Sequence, residues 1–275
     1  MVAPMRLFVT HRSAYRFSRP QTRLVQLLRL TPGNHVGQSV VAWAIDVDRD
    51  VRLRPARDGY SNETTMLYVD GPLDALTITV TGEVLTEDRA GMIAGAPEPL
   101  PPLYYLQPTT LTRADAAIAG FVRSLSLPRE RLPRAHALAE AIHERLVLTP
   151  PDRTADQCAI ARFAAGSADP QGATHLLIAA ARAAGLPARY VAGHLFRPYE
   201  PAGHSAHGWA ELHVEGFGWI GFDAYEGRCP QASYVRVATG LDHAQAAPIA
   251  GARIGGGTET LAVDVHVGTE PAAVD

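Results

Sequence analysis

The chain has 275 residues, 47% of them hydrophobic and 19% charged, with a formal net charge of −3. That length can bury one large core or two modest ones, and the small charge offers no electrostatic footing for nucleic acid or an anionic membrane. No apolar run approaches the roughly 20 residues of a spanning helix. No apolar leader precedes Tyr15, and the two cysteines, Cys158 and Cys229, are too few for a disulfide framework, so a cytoplasmic location is expected.

The first ninety or so residues alternate like strands. Trp43, Ile45 and Val47 share one side, as do Leu76, Ile78, Val80 and Val84 with threonines between them. Asp58-Gly59, Pro32-Gly33-Asn34 and Asp70-Gly71-Pro72 read as turns. Residues 1–95 are therefore expected to form an antiparallel β-domain. Pro97, Pro99, Pro101, Pro102 and Pro108 argue against helix and for an extended connector over 96–110.

Helical signals follow. Thr112 and Asp115 have capping spacing ahead of a stripe of Ile118, Phe121, Val122 and Leu125. Pro128 and Pro133 separate it from a second helix carrying Leu138, Ile142 and Leu146, and Thr154 and Gln157 suggest the start of a third. The fourth opens on Asp169 as N-cap with Pro170 at the first helical position, and closes at Gly185. Strands are expected at Ala188–His194, His207–Val214 and Trp219–Asp223, with a final strand through Leu261, Val263, Val265 and Val267 after the Gly255–Gly257 turn. The fold class is α+β, with residues 111–275 forming a core of helices packed on an antiparallel sheet, C-terminal strand included.

Four segments carry the chemistry: Gly172-Ala173-Thr174-His175-Leu176, Gly185-Leu186-Pro187-Ala188-Arg189-Tyr190-Val191, Ala206-His207-Gly208-Trp209-Ala210-Glu211 and Gly218-Trp219-Ile220-Gly221-Phe222-Asp223. With Arg6-Leu7-Phe8-Val9-Thr10-His11 and Leu28-Arg29-Leu30-Thr31-Pro32 upstream, the chain resembles the bacterial transglutaminase-like family. That family carries a Cys-His-Asp triad on a papain-like core. Its Cys-Gln-Asp-Phe-Ala-His pattern falls here on Pro170, Gln171, Gly172, Ala173, Thr174 and His175, and the ten residues from His175 to Gly185 hold the register.

The resemblance gives His207 and Asp223 the triad's histidine and aspartate places and puts Pro170 where its nucleophile would stand. A thiol at a helix N-terminus is acidified by the macrodipole and a neighbouring imidazolium. Proline has no nucleophilic atom and no N–H for an oxyanion. The implied function is a degenerate site, with Gln171, Thr174, His175 and Trp209 lining it. It would bind a peptide-like or small amide ligand, or a protein partner, without nucleic acid, membrane or cofactor. The alternative is an enzyme of altered chemistry, in which His207, oriented by Asp223, serves amide or ester hydrolysis or cyclisation as general acid/base. Cys158 reads as a structural thiol and Cys229 as a loop residue.

Geometry sets a condition on the pair. For 207 and 223 to sit directly opposite, the hairpin register must centre on Glu215, which needs an odd loop or a bulge. A two-residue turn at Gly216-Phe217 would send them to opposite faces. His194, His204, His207 and His213 lie close in sequence, and His204 and His207 with Asp223 form a less favoured metal set beside the structural reading of these histidines. Arg189 and Tyr190 read as structural, with Arg189 pairing a carboxylate.

Overall fold

The structure, a computed structural model, describes residues 4–152, 156–198 and 206–271. The chain runs through β1 (Met5–Leu28), β2 (Gln38–Val47), β3 (Arg52–Arg57), β4 (Glu63–Thr86) and β5 (Met92–Ile93) to a 3-10 turn (Pro102–Leu106). There follow α1 (Ala116–Ser124), α2 (Arg131–Arg145), β6 (Val147–Leu148), α3 (Ala159–Ala165), β7 (Ser167–Ala168) and α4 (Pro170–Ala183). The last part holds β8 (Ala188–Leu195), β9 (Ala206–Val214), β10 (Gly218–Phe222), β11 (Tyr234–Gly240), α5 (His243–Ala246), β12 (Ile249–Ile254) and β13 (Glu259–Gly268). No described helix is long and apolar enough to cross a membrane.

β1 and β4 pair antiparallel along their lengths, with the ladder shifting register around Gln21. Asp70-Gly71-Pro72 is therefore not a turn: it lies inside β4 at this irregularity. Gly71 is required there, because a Cβ would fall 2.0 Å from the Gln21 carbonyl oxygen. The strands bend at this point, so Tyr15, Phe17, Leu76 and Ile78 from one half share a core with Leu24, Leu28, Leu67 and Val69 from the other. β2 extends the first layer and β3 the second.

β12 and β13 complete these layers by pairing with β1. The C-terminal strand, expected with the helical core, thus belongs to the N-terminal sheet. Val265 and Val267 are buried there, and Val267 packs with Leu7 and Val9. Such a pairing closes about 260 residues of chain where Phe8 opposes Gly268 and has no local signal.

The second sheet is antiparallel, ordered β11-β8-β9-β10-β5. Its apolar side meets α4, which is buried along Leu176, Leu177, Ile178 and the following alanines, together with Ile118, Leu138 and Ile142 of α1 and α2. Asp169 caps α4 by accepting from the Gly172 N–H at 2.8 Å, Pro170 takes the first position, and Gly185 leaves the helix at φ 74°. The cap and terminator alone start and stop this helix.

Three expectations need correction. Asp115 caps α1, accepting from the Ile118 N–H at 2.9 Å, while Thr112 instead accepts from Arg182. Pro133 does not precede α2 but sits in its first turn, where a missing N–H removes no helical bond. The Pro-rich stretch holds a 3-10 turn at Pro102–Leu106, with Pro102 at its start. α3 begins at Ala159 with Cys158 as its cap; Thr154, expected near that start, lies outside the described residues.

A buried ion network ties the connector to the sheet. Arg189 donates to Glu98 (2.6 and 2.9 Å) and to Glu211 (2.6 Å), and Glu211 also accepts from Arg236 at 2.6 Å. Burial alone would push the Glu211 carboxyl up, but Arg236 and Arg189 outweigh it and hold the group at about 2.

Candidate functional site

His207 is on β9 and Asp223 just past β10, joined by the three-residue loop Glu215-Gly216-Phe217. Gly216 and Gly218 both take φ 84°, the left-handed region that glycine enters freely. The loop is odd, as required, but the register centres on Gly216: Val214 opposes Gly218 and Ala210 opposes Phe222. His207 and Asp223 therefore share a face and meet diagonally, with Nε2 to Oδ2 at 2.5 Å and both side chains fully buried.

Asp223 has every acceptor position in use. Its Oδ1 accepts from the Tyr225 and Glu226 backbone N–H groups at 3.0 Å each, and its Oδ2 from His207 and the Tyr234 hydroxyl, the latter at 2.9 Å. Burial would raise this carboxyl, but His207 and the converging donors hold it below the ordinary carboxylate range. An ionised carboxylate only accepts, which assigns the imidazole proton to Nε2. The neutral ring then presents a bare Nδ1. That nitrogen is buried and has no hydrogen-bond partner among the described residues.

Pro170 lies buried at the start of α4. Thr174 Oγ1 back-bonds to the Pro170 carbonyl at 2.7 Å and sits 2.9 Å from the Gly208 carbonyl, fastening this turn to β9 beside His207. Trp209 stacks along His207 with ring centres 6.3 Å apart. Gln171 is half-buried at the second helical position.

His175 faces elsewhere. Its Nδ1 lies 2.8 Å from the Gln157 carbonyl and its Nε2 accepts from the His243 N–H at 3.1 Å, so it braces two loops as a neutral ring. Burial lowers its pKa to about 4. Neither thiol bonds to His207. Cys158 Sγ accepts from the Ala161 N–H at 3.4 Å, and Cys229 packs by Gly91, its thiol pushed up by burial.

Among the described residues no three His, Cys, Asp or Glu side chains gather as a metal site, and His204 lies outside those residues. His213 shares the β9 face with His207 but stands six residues along, about 20 Å away at roughly 3.3 Å per residue. It packs on Trp219, while His194 meets His11. A separate cavity of about 560 Å³ opens under the connector, between Ile93, Leu100, Trp219 and His213, away from His207 and Asp223.

Residues 7–85 match the bacterial transglutaminase-like N-terminal region, and residues 120–224 match the transglutaminase-like superfamily core. The chain is a transglutaminase-like protein. Among curated relatives, an uncharacterized protein of Mycobacterium tuberculosis is 28% identical over 96% of this chain and 92% of its own length. One of Mycobacterium leprae is 23% identical over 95% and 98%. The solved structure of a candidate cysteine protease from Cytophaga hutchinsonii superposes with a TM-score of 0.77 at 17% identity, covering 97% of this chain and 91% of that one. The likeness carries the fold: a transglutaminase-like, papain-like core behind an N-terminal β region.

Sequence reasoning missed one contributor to this transglutaminase-like site. Tyr234 comes from β11, outside the matched core residues, and its hydroxyl reaches Asp223. The signal available was the alternation of Val235 and Val237 just after it, which marks a strand and no chemistry.

Proposed function

We propose that this transglutaminase-like protein performs no thiol-dependent acyl transfer and instead uses its His207–Asp223 site to bind a peptide-like or amide-bearing ligand, or a protein partner. The reading is carried by Pro170 at the first position of α4, in the register where the family pattern has cysteine. It is supported by an imidazole Nδ1 that neither Cys158 nor Cys229 approaches as a bonding partner. Proline keeps the helix start while supplying no nucleophile. Asp169, Thr174 and Asp223 keep the surroundings of the site ordered through their hydrogen bonds. Two free cysteines suit our placement of the protein in the cytoplasm. The test is an assay of purified protein for amine incorporation, deamidation and peptide hydrolysis: no turnover above background is expected, and turnover abolished by a thiol alkylator would overturn the reading.

The bare Nδ1 also favours a second reading. With Asp223 fixing the proton on Nε2, His207 is set up as a general base for a water or a hydroxyl on the substrate itself. Hydrolysis of an amide or ester that survives alkylation and disappears in His207→Ala would establish this version. A rate unchanged by that substitution would remove it.

A further inference from the structure

β11 delivers one more side chain to the site, and it is held there by the N-terminal β-sandwich. The Tyr234 hydroxyl stands between Arg228 Nε at 3.3 Å and Asp223 Oδ2 at 2.9 Å. A guanidinium only donates and a carboxylate only accepts, so the hydroxyl hydrogen must point to Asp223. Oδ2 thus receives two donors, Tyr234 and His207 Nε2. We infer that Tyr234, backed by Arg228, is a positioning residue that sets the basicity of His207 through Asp223, with the β-sandwich holding it in place. This rests on His207 and Asp223 forming the acid–base pair described above.

The argument is one of competition. A carboxylate oxygen shared between two donors stabilises an imidazolium less than one devoted to it alone. Tyr234 also stays a neutral donor, since burial and Asp223 push its own ionisation up. The other groups around the pair are Tyr190 of β8, Trp209 of β9, and Tyr225, Glu226 and Arg228 in the loop after β10, with Asp169 at the cap of α4 on the side of Tyr190. Glu226 is occupied with Arg197 at 2.6 Å, and Asp169 with the Gly172 N–H. Tyr234 is the hydroxyl recorded on Oδ2.

The sandwich fixes this strand. Val235 and Val237 pack on Leu7, Val9 and Val84. The Gln38 side chain bonds both the N–H and the carbonyl of Arg236 at 2.8 Å each, clamping the backbone two residues from Tyr234. The domain therefore acts on the imidazole's chemistry without touching it.

The test is a nitrogen-15 NMR titration of full-length protein labelled at histidine, with the His207 signal assigned by its loss in His207→Asn. Tyr234→Phe should raise the His207 pKa by about one unit, a roughly tenfold change in proton affinity. Tyr225→Phe is the control: its ring lies 6.2 Å from His207, close to the 6.0 Å of Tyr234, but its hydroxyl donates to the Thr149 carbonyl. It should leave the value in place. Gln38→Leu should move His207 in the same direction as Tyr234→Phe, by less. No shift in Tyr234→Phe, or an equal one in Tyr225→Phe, would overturn the inference. The underlying pair is checked separately: Asp223→Asn should lower the His207 pKa, and failure there sinks the acid–base reading itself.

Discussion

Acid should unfold this protein through histidines that are buried as neutral rings. His175 is the sharpest case, because its two hydrogen bonds define its protonation state. The Gln157 carbonyl needs a proton on Nδ1, and the His243 N–H needs a bare Nε2. Adding a proton at Nε2 would set donor against donor in a site with no exposure. Burial outweighs the Gln157 hydrogen bond and lowers the folded pKa to about 4, against 6.5 for an unfolded histidine. A depressed histidine pKa means that the unfolded chain takes up the proton first, so stability is full above pH 6.5 and falls as pH drops towards 4. The whole shift corresponds to about 3 kcal/mol, of which about 2 kcal/mol is lost between pH 7 and pH 5. The assay is urea unfolding followed by tryptophan fluorescence at pH 7, 6 and 5, for the wild type and His175→Gln. The variant starts less stable at pH 7, but its deficit should shrink by about 2 kcal/mol at pH 5 because it has no proton to gain. A deficit that stays constant with pH would refute the assignment of His175 as a neutral brace.

His194, lowered to about 3 by burial and by neighbouring His11, should add a parallel acid sensitivity, so His194→Asn should also flatten the pH dependence of the urea midpoint. Glu211→Gln should cost about 3–5 kcal/mol by calorimetry or urea titration, since it leaves Arg236 and Arg189 short of their buried counter-ion. The Glu211 contribution, from a carboxyl depressed from 4.5 to about 2, should vanish only as pH falls through that interval, well below the histidine range. Gly208→Ala should destabilise by about 1–3 kcal/mol, because the new Cβ would lie 2.1 Å from the Tyr190 hydroxyl oxygen, and Tyr190→Phe should recover part of the loss. Pro170→Cys should create a thiol that iodoacetamide alkylates faster than free cysteine at pH 7, and His207→Ala should slow that reaction. Gly172→Asp should not be added, as a Cβ there meets Arg162 and Gln157 at 2.7 Å.

What the sequence disclosed was mostly local. Asp169-Pro170 and Gly185 bracket α4 because caps and terminators act within a turn of the chain. The shared face of His207 and Asp223 was readable once the loop length was odd, although two left-handed glycines moved the centre of the register to Gly216. The partners of Arg189 were half legible: a buried arginine demands a carboxylate, but only the fold shows that Glu98 crosses from the connector to provide one. Asp70-Gly71-Pro72 misled because its composition is that of a turn, while the bend it makes is shared with Gln21 of another strand. The return of β13 to β1 left no local trace at all.

These non-local pairings shape the site as much as the motifs do. His207, Asp223 and α4 come from one continuous stretch whose patterns can be matched by eye. Tyr234 stands on a strand whose position depends on β1 and β4, and β13 packs into the same cluster through Val267. Loosening the sandwich should therefore alter the site before it unfolds the core, because Val235 and Val237 lose their backing while α4 keeps its own apolar cluster. Val84→Ala is the direct probe. It removes a buried side chain from this junction, at a cost of about 1–3 kcal/mol, and acts on β11 through Val235 and Val237, leaving every side chain that bonds to His207 or Asp223 in place. The His207 titration should shift upward in that variant at temperatures where circular dichroism still reports full native structure. A titration unchanged up to the unfolding transition would mean that the core holds β11 unaided, and that the β-domain has no part in the chemistry at His207.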